Sequence, residues 1–139
     1  MIKERLSAKI DIFFAFTLDI NTQPIDTIIN TLDLISMNEN LVKYNCPLNR
    51  LNIELGNIDK DFEKELNTIF LSIQNKLLLL LNTAIKNKDI IPINTDSLSE
   101  FIITSTWGAL SLSYNNSSQL KFINNTSHIK YYLNSLKIS

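Results

Sequence analysis

Cys46 to Phe70 reads CPLNRLNIELGNIDKDFEKELNTIF and joins a short helix to a long amphipathic one across one glycine. Gly56 is one of only two glycines, and it falls between two apolar-periodic segments, where a helix ends in a left-handed residue. Asn57 or Asp59 is then placed to cap the next helix. From Phe62 through Leu66, Ile69, Phe70, Ile73, Leu77, Leu80, Leu81 and Ala84 one apolar stripe stays in phase for several turns. This spacing predicts a long central helix from about Ile58 to Asn87 on which the other elements pack.

On either side of this join the chain punctuates itself into helices. Toward the N-terminus, Leu6, Ile10, Phe13, Phe14 and Thr17 recur at helical spacing within Ile2–Leu18. Asn21-Thr22-Gln23-Pro24 offers capping oxygens and a proline suited to a first helical turn. A second helix is expected from there to about Asn38, through Ile25, Ile28, Ile29, Leu32 and Ile35. Pro47 opens the short third helix, which ends before Gly56. Beyond the central helix, Ile90-Ile91-Pro92-Ile93 reads as an extended connection, because proline disfavours helical geometry at the residue before it. A fifth helix starts near Asn94 to Asp96; Ser97 and Glu100 have capping-box spacing, or simply lie in its first turn. It is apolar nearly all round, with Leu98, Phe101, Ile102, Ser105, Gly108, Ala109 and Leu112 on one side and Ile103, Trp107, Leu110 and Tyr114 on the other. That pattern predicts burial on both sides, within the domain or against a partner. After a turn at Asn115–Ser118 the last helix runs from about Gln119 to Lys137.

Composition narrows the class. At 139 residues the chain is the size of one domain, large enough to bury roughly two-thirds of its unfolded surface. With 45% hydrophobic residues, two glycines and three prolines, it is too rich in apolar residues for a disordered protein and too poor in turn formers for a β-sandwich. The expectation is an all-α single domain over 1–139. A net charge of −1 leaves no basic excess to neutralise a phosphate backbone, so DNA or RNA binding by this stretch alone is not expected. Charges at Lys3, Glu4, Arg5, Lys9 and Asp11 interrupt any signal-peptide core, and the apolar run Leu77–Leu81 is far short of the roughly 20 residues of a membrane span. A cytoplasmic protein without a membrane segment is the expectation. The Asn-x-Ser/Thr sequons at Asn115, Asn116, Asn124 and Asn125 carry no weight without a secretory signal.

Taken in order, these elements resemble the C-terminal effector-binding and dimerisation domain of the tetracycline-repressor (TetR) family of transcription regulators. The short helix carries Cys46, Leu51, Glu54 and Leu55 in a Cys-x-x-x-x-Leu-x-x-Glu-Leu pattern, followed by the acidic cap Asp59 and Asp61 and by the long helix from Phe62. Then come the link Asn87–Ile91, a helix with the small pair in Trp107-Gly108-Ala109-Leu110, and the last helix Gln119–Leu136. The resemblance implies a six-helix bundle. It also implies a homodimer that senses a small, largely apolar effector and represses transcription, with no catalysis, cofactor or metal. The family's N-terminal helix-turn-helix has no counterpart here: Met1 falls where the linking helix starts. DNA contact is thus implied only through an absent N-terminal domain, the chain being either a fragment of a longer regulator or a stand-alone effector domain. A smaller departure is Asn87-Lys88-Asp89 where the family usually places glycine; Asn87 can take the left-handed conformation at modest cost.

The same resemblance points to Phe13, Phe16, Met37, Phe70, Ile73, Gln74, Thr106 and Trp107 as lining the effector pocket. Aromatic and methionine side chains make large apolar walls, and a Gln or Thr fixes orientation by hydrogen bonding. Ordinary core packing is the competing account of each, weakest for Gln74 and for Trp107, whose N–H needs a partner if buried. Ser105, Gly108, Ala109 and Leu112, joined by Tyr114, Phe122, Ile129 and Tyr132, would form the dimer interface as half of a four-helix bundle. Packing of the fifth helix on the last within one chain is the alternative. Cys46 and His128 are the only cysteine and histidine; no spacing supplies a third orienting group, and they read as a small buried residue and a surface or interface residue. A reading from another class is a helical protein–protein interaction module, without ligand, whose fifth helix docks a partner helix.

Overall fold

The computed structural model describes residues 23–37, 60–112 and 118–138, with the side chains at 62, 63, 66, 111, 112 and 118 left aside. These residues form four helices, α1 Pro24–Met37, α2 Lys60–Lys86, α3 Thr95–Leu112 and α4 Ser118–Ser135, and no strand. The described part of the chain is therefore all-helical. The expected first helix Ile2–Leu18 and the short helix Pro47–Leu55, with Cys46 and Gly56, lie outside the described residues.

Identifiable hydrogen-bonding groups fix several of the helix ends. Pro24 occupies the first turn of α1, where its missing N–H is no loss, and Gln23 O accepts the first helical bond from Thr27 N at 3.0 Å. Asn94 caps α3: its Oδ1 accepts from Ser97 N at 3.1 Å and its carbonyl from Leu98 N at 3.1 Å, which places Ser97 inside the first turn. At the other end of α1, Gln119 Nε2 of α4 donates to Ser36 O at 3.1 Å and satisfies one of the helix's terminal carbonyls.

The end of α2 corrects one expectation. Asn87 N still donates to Thr83 O at 2.9 Å in the ordinary helical pattern, so Asn87 closes the helix and the left-handed residue is Lys88, with φ 61°. Asp89 N reaches back to Ala84 O (2.8 Å) and Lys88 N to Ile85 O (3.0 Å), the paired bonds of a Schellman motif. A lysine thus stands where glycine is usual.

The extended connection after α2 pairs with the chain's C-terminal tail. Ile90 and Lys137 form an isolated antiparallel bridge, Ile91 N donates to Leu136 O at 3.0 Å, and Ile138 N donates to Asp89 O at 2.9 Å. Proline at 92 keeps this segment out of a helix, and the tail satisfies the backbone groups that a helix would have paired internally. The last helix consequently stops at Ser135, short of the expected Lys137: Leu136 N and Lys137 N turn back to Leu133 O and Asn134 O, three residues earlier.

The core is the sum of four apolar stripes. Ile25, Ile28, Leu32 and Ile35 on α1 meet Ile69, Ile73, Leu77, Leu80, Leu81 and Ala84 on α2; Leu98, Ile102, Ala109 and Leu110 on α3 and Phe122, Ile129, Leu133 and Leu136 at α4 complete it. Helix α1 packs on α2 and α4, and α3 packs on the same two helices. The 20-residue stretch Asn67–Lys86 is long and apolar enough to cross a membrane by composition, but its buried residues are those of this core stripe. Two ion pairs accompany the antiparallel packing of α1 with α4 and its tail: Asp26 with Lys137 at 2.7 Å, and Asp33 with Lys130. Asp26 and Asp33 are two turns apart on α1, while Lys130 lies on α4 and Lys137 in the tail just beyond it, so the two pairs tie α1 to α4 and to the tail that follows.

Candidate functional site

The seam between α2 and α3 carries most of the chemistry that the sequence singles out. The helices run antiparallel, since Asn82 meets Thr95, Gln74 meets Ser99 and Phe70 meets Trp107 in succession. At the end near the α2–α3 connection, Thr95 Oγ1 donates to Asn82 Oδ1 at 2.9 Å. Two turns further along α2, Gln74 Nε2 donates to the hydroxyl oxygen of Ser99 at 3.2 Å, and that hydroxyl donates to Asp96 O at 2.7 Å. One turn beyond Gln74 toward the start of α2, the Phe70 and Trp107 rings meet edge to face, centroids 5.0 Å apart and planes inclined at 63°. Ser99 is fully buried and Trp107 nearly so, whereas Phe70 and Gln74 are half-buried. Aromatic pairs of this geometry add about 0.5–1.5 kcal/mol beyond their buried area.

The eight expected pocket residues divide accordingly. Phe70, Gln74 and Trp107 come together along the seam. Ile73 is fully buried in the common core, and Thr106 is buried with its hydroxyl donating to Ile102 O of its own helix at 2.7 Å. Met37 is 69% exposed at the end of α1, not enclosed. Phe13 and Phe16 lie outside the described residues. Ser99 is not among the eight, although its position one turn from the helix start, facing a glutamine on the preceding helix, makes it Gln74's partner.

The outer edge of the α3–α4 pair is the second region of interest. Of the expected interface residues, Ala109, Phe122 and Ile129 are buried within the single chain, by packing between its own helices. Gly108 is exposed, Ser105 half-buried and Tyr132 40% exposed. Tyr114 and the side chain of Leu112 lie outside the described residues. The structure adds Phe101, 44% exposed, whose ring stands edge to face with Tyr132 at 5.9 Å, and Tyr131, 79% exposed. A Cβ added at Gly108 would meet nothing within 4 Å, so this surface is open beside the glycine. Helix α3 is therefore not buried all round: Phe101 and Gly108, four and three residues from Ser105, mark an outward strip.

His128 is exposed on α4, and Cys46 lies outside the described residues. Among the described residues no group of three or more His, Cys, Asp or Glu side chains is placed to hold a metal ion. Fold and site together define an all-helical bundle with a polar–aromatic seam and an open apolar edge. No family model, no curated protein and no solved structure matches the chain.

Proposed function

We propose that this chain is the ligand-sensing and dimerisation domain of a TetR-type transcriptional repressor, binding a small, largely apolar effector and carrying no catalytic activity. The observation that carries the reading is the α2–α3 seam. There the Phe70 and Trp107 rings, one from each helix, and a half-buried glutamine one turn from Phe70 lie together, while the other buried residues described on α2 are aliphatic. Apolar walls with one or two convergent polar groups are the composition of small-molecule sites.

The exposed Phe101–Tyr132 pair and the open surface at Gly108 support self-association through α3 and α4. In this reading DNA is contacted only through a helix-turn-helix outside these 139 residues. Effector binding shifts the population of dimer conformations, and a coupling of about 1–3 kcal/mol is sufficient for regulation. Sedimentation equilibrium at micromolar concentration tests the assembly: a dimer is expected, reduced to monomer by Tyr132→Glu, and a wild-type monomer overturns it. The same exposed edge favours one second reading, a helical interaction module that docks a partner helix without any ligand. That module has a packed seam that takes up no small molecule.

A further inference from the structure

Within that sensing reading, we infer that the effector is a flat ring molecule bearing a hydrogen-bond donor, an O–H or N–H, which it gives to Gln74 Oε1. The hydrogens along the seam decide this. A serine hydroxyl has one hydrogen to donate, and that of Ser99 goes to Asp96 O at 2.7 Å. Ser99 Oγ can then only accept from Gln74, so the amide must turn its Nε2 toward Ser99, as the 3.2 Å contact has it. The orientation of the glutamine amide is thus set by the serine.

The carbonyl oxygen Oε1 points away from that bond and accepts from no other described residue. The other hydroxyl of α3 in this region, Thr106, has given its hydrogen to Ile102 O. Gln74 is half-buried and sits one turn from Phe70, whose ring is half-buried against Trp107. A planar ligand lying on this pair has an acceptor one turn away, and a ligand without a donor leaves that acceptor desolvated and unpaired. Ser99 acts as a positioning residue and does not itself contact the ligand.

The test uses two bicyclic probes of the same shape, indole, which has an N–H, and benzofuran, which has an oxygen in its place. Each is titrated into the 15N-labelled 139-residue protein, in which the single tryptophan, Trp107, gives the one indole side-chain signal. Indole is expected to bind about two- to tenfold more tightly than benzofuran, the span of one neutral hydrogen bond. The preference is expected to vanish in Gln74→Met, which keeps the volume and loses the acceptor, and to shrink in Ser99→Ala, where the amide is free to turn. Circular dichroism checks that both variants remain folded. Equal binding of the two probes, or a preference retained by Gln74→Met, overturns the donor rule and leaves the sensing reading standing. Failure of both probes to move the Trp107 signal up to their solubility overturns a ligand site on this seam, and the sensing reading with it.

Discussion

Replacing Lys88 by glycine is expected to stabilise the protein. Lys88 has φ 61° and supplies the left-handed residue of the Schellman motif that ends α2, with its own N–H held by Ile85 O and that of Asp89 by Ala84 O. An L-residue with a Cβ gives up about 1–2 kcal/mol in this conformation, which glycine does not. Glycine in turn loses about 0.5–1 kcal/mol more conformational entropy on folding. The balance is a gain of about 0.5–1 kcal/mol, or about 2–4 °C in Tm for a domain of this size. No packing contact complicates the comparison, since Lys88 is exposed.

The assay is equilibrium urea unfolding, followed by far-ultraviolet circular dichroism and by Trp107 fluorescence so that coincidence of the two probes checks two-state behaviour. Asn87→Gly is the control. Asn87 keeps the helical bond to Thr83 O, so glycine there adds entropy cost without relieving strain and is expected to destabilise. A lower urea midpoint for Lys88→Gly together with a higher one for Asn87→Gly refutes the assignment of strain to Lys88. That outcome would return the left-handed position to residue 87.

Other perturbations read the core, the cap and the α1–α4 seam. Phe122→Ala empties a fully buried aromatic site and is expected to cost about 3–5 kcal/mol, seen as a large fall in the urea midpoint. Asn94→Ala removes the Oδ1 cap of α3 and is expected to cost about 1 kcal/mol by the same measurement. Double-mutant cycles on Asp33–Lys130 and Asp26–Lys137 are expected to give couplings of about 0.2–1 kcal/mol, because both pairs are partly exposed. These couplings should fall toward zero in 1 M salt, where the screening length drops to about 3 Å.

Much of the helical architecture is legible in the chain itself. Burial dictates spacing, so apolar periodicity alone marks α1 by Ile25, Ile28, Leu32 and Ile35, and α2 by Ile69, Ile73, Leu77 and Leu81. Pro24 and Asn94 locate two helix starts through groups that only a helix terminus leaves unpaired. The features that escape the sequence are set by tertiary register. The bridge between Ile90 and Lys137 joins backbone groups 47 residues apart, and no local pattern announces it. The seven-residue spacing of Asp26 and Asp33 matches that of Lys130 and Lys137, yet it acquires meaning only when α1 and α4 are known to run antiparallel.

The site divides in the same way. Gln74 and Trp107 stand out as polar groups among apolar neighbours, but Ser99 hides among residues that also suit a helix start. Phe101 is expected on a buried side of its helix and Tyr132 at an interface with a second copy; within the single chain they stand 44% and 40% exposed, which periodicity does not reveal. Periodicity says that a residue lies on a face; it does not say whether a neighbouring helix covers that face.

A dimer that holds a small molecule on the α2–α3 seam is the central claim, and native mass spectrometry of the protein as purified tests it most directly. The expected result is a species at twice the 15.9 kDa chain mass, carrying a bound small molecule that denaturation releases and whose loss shifts the Trp107 signal. A bare 15.9 kDa monomer, with nothing released and no such shift, would contradict it.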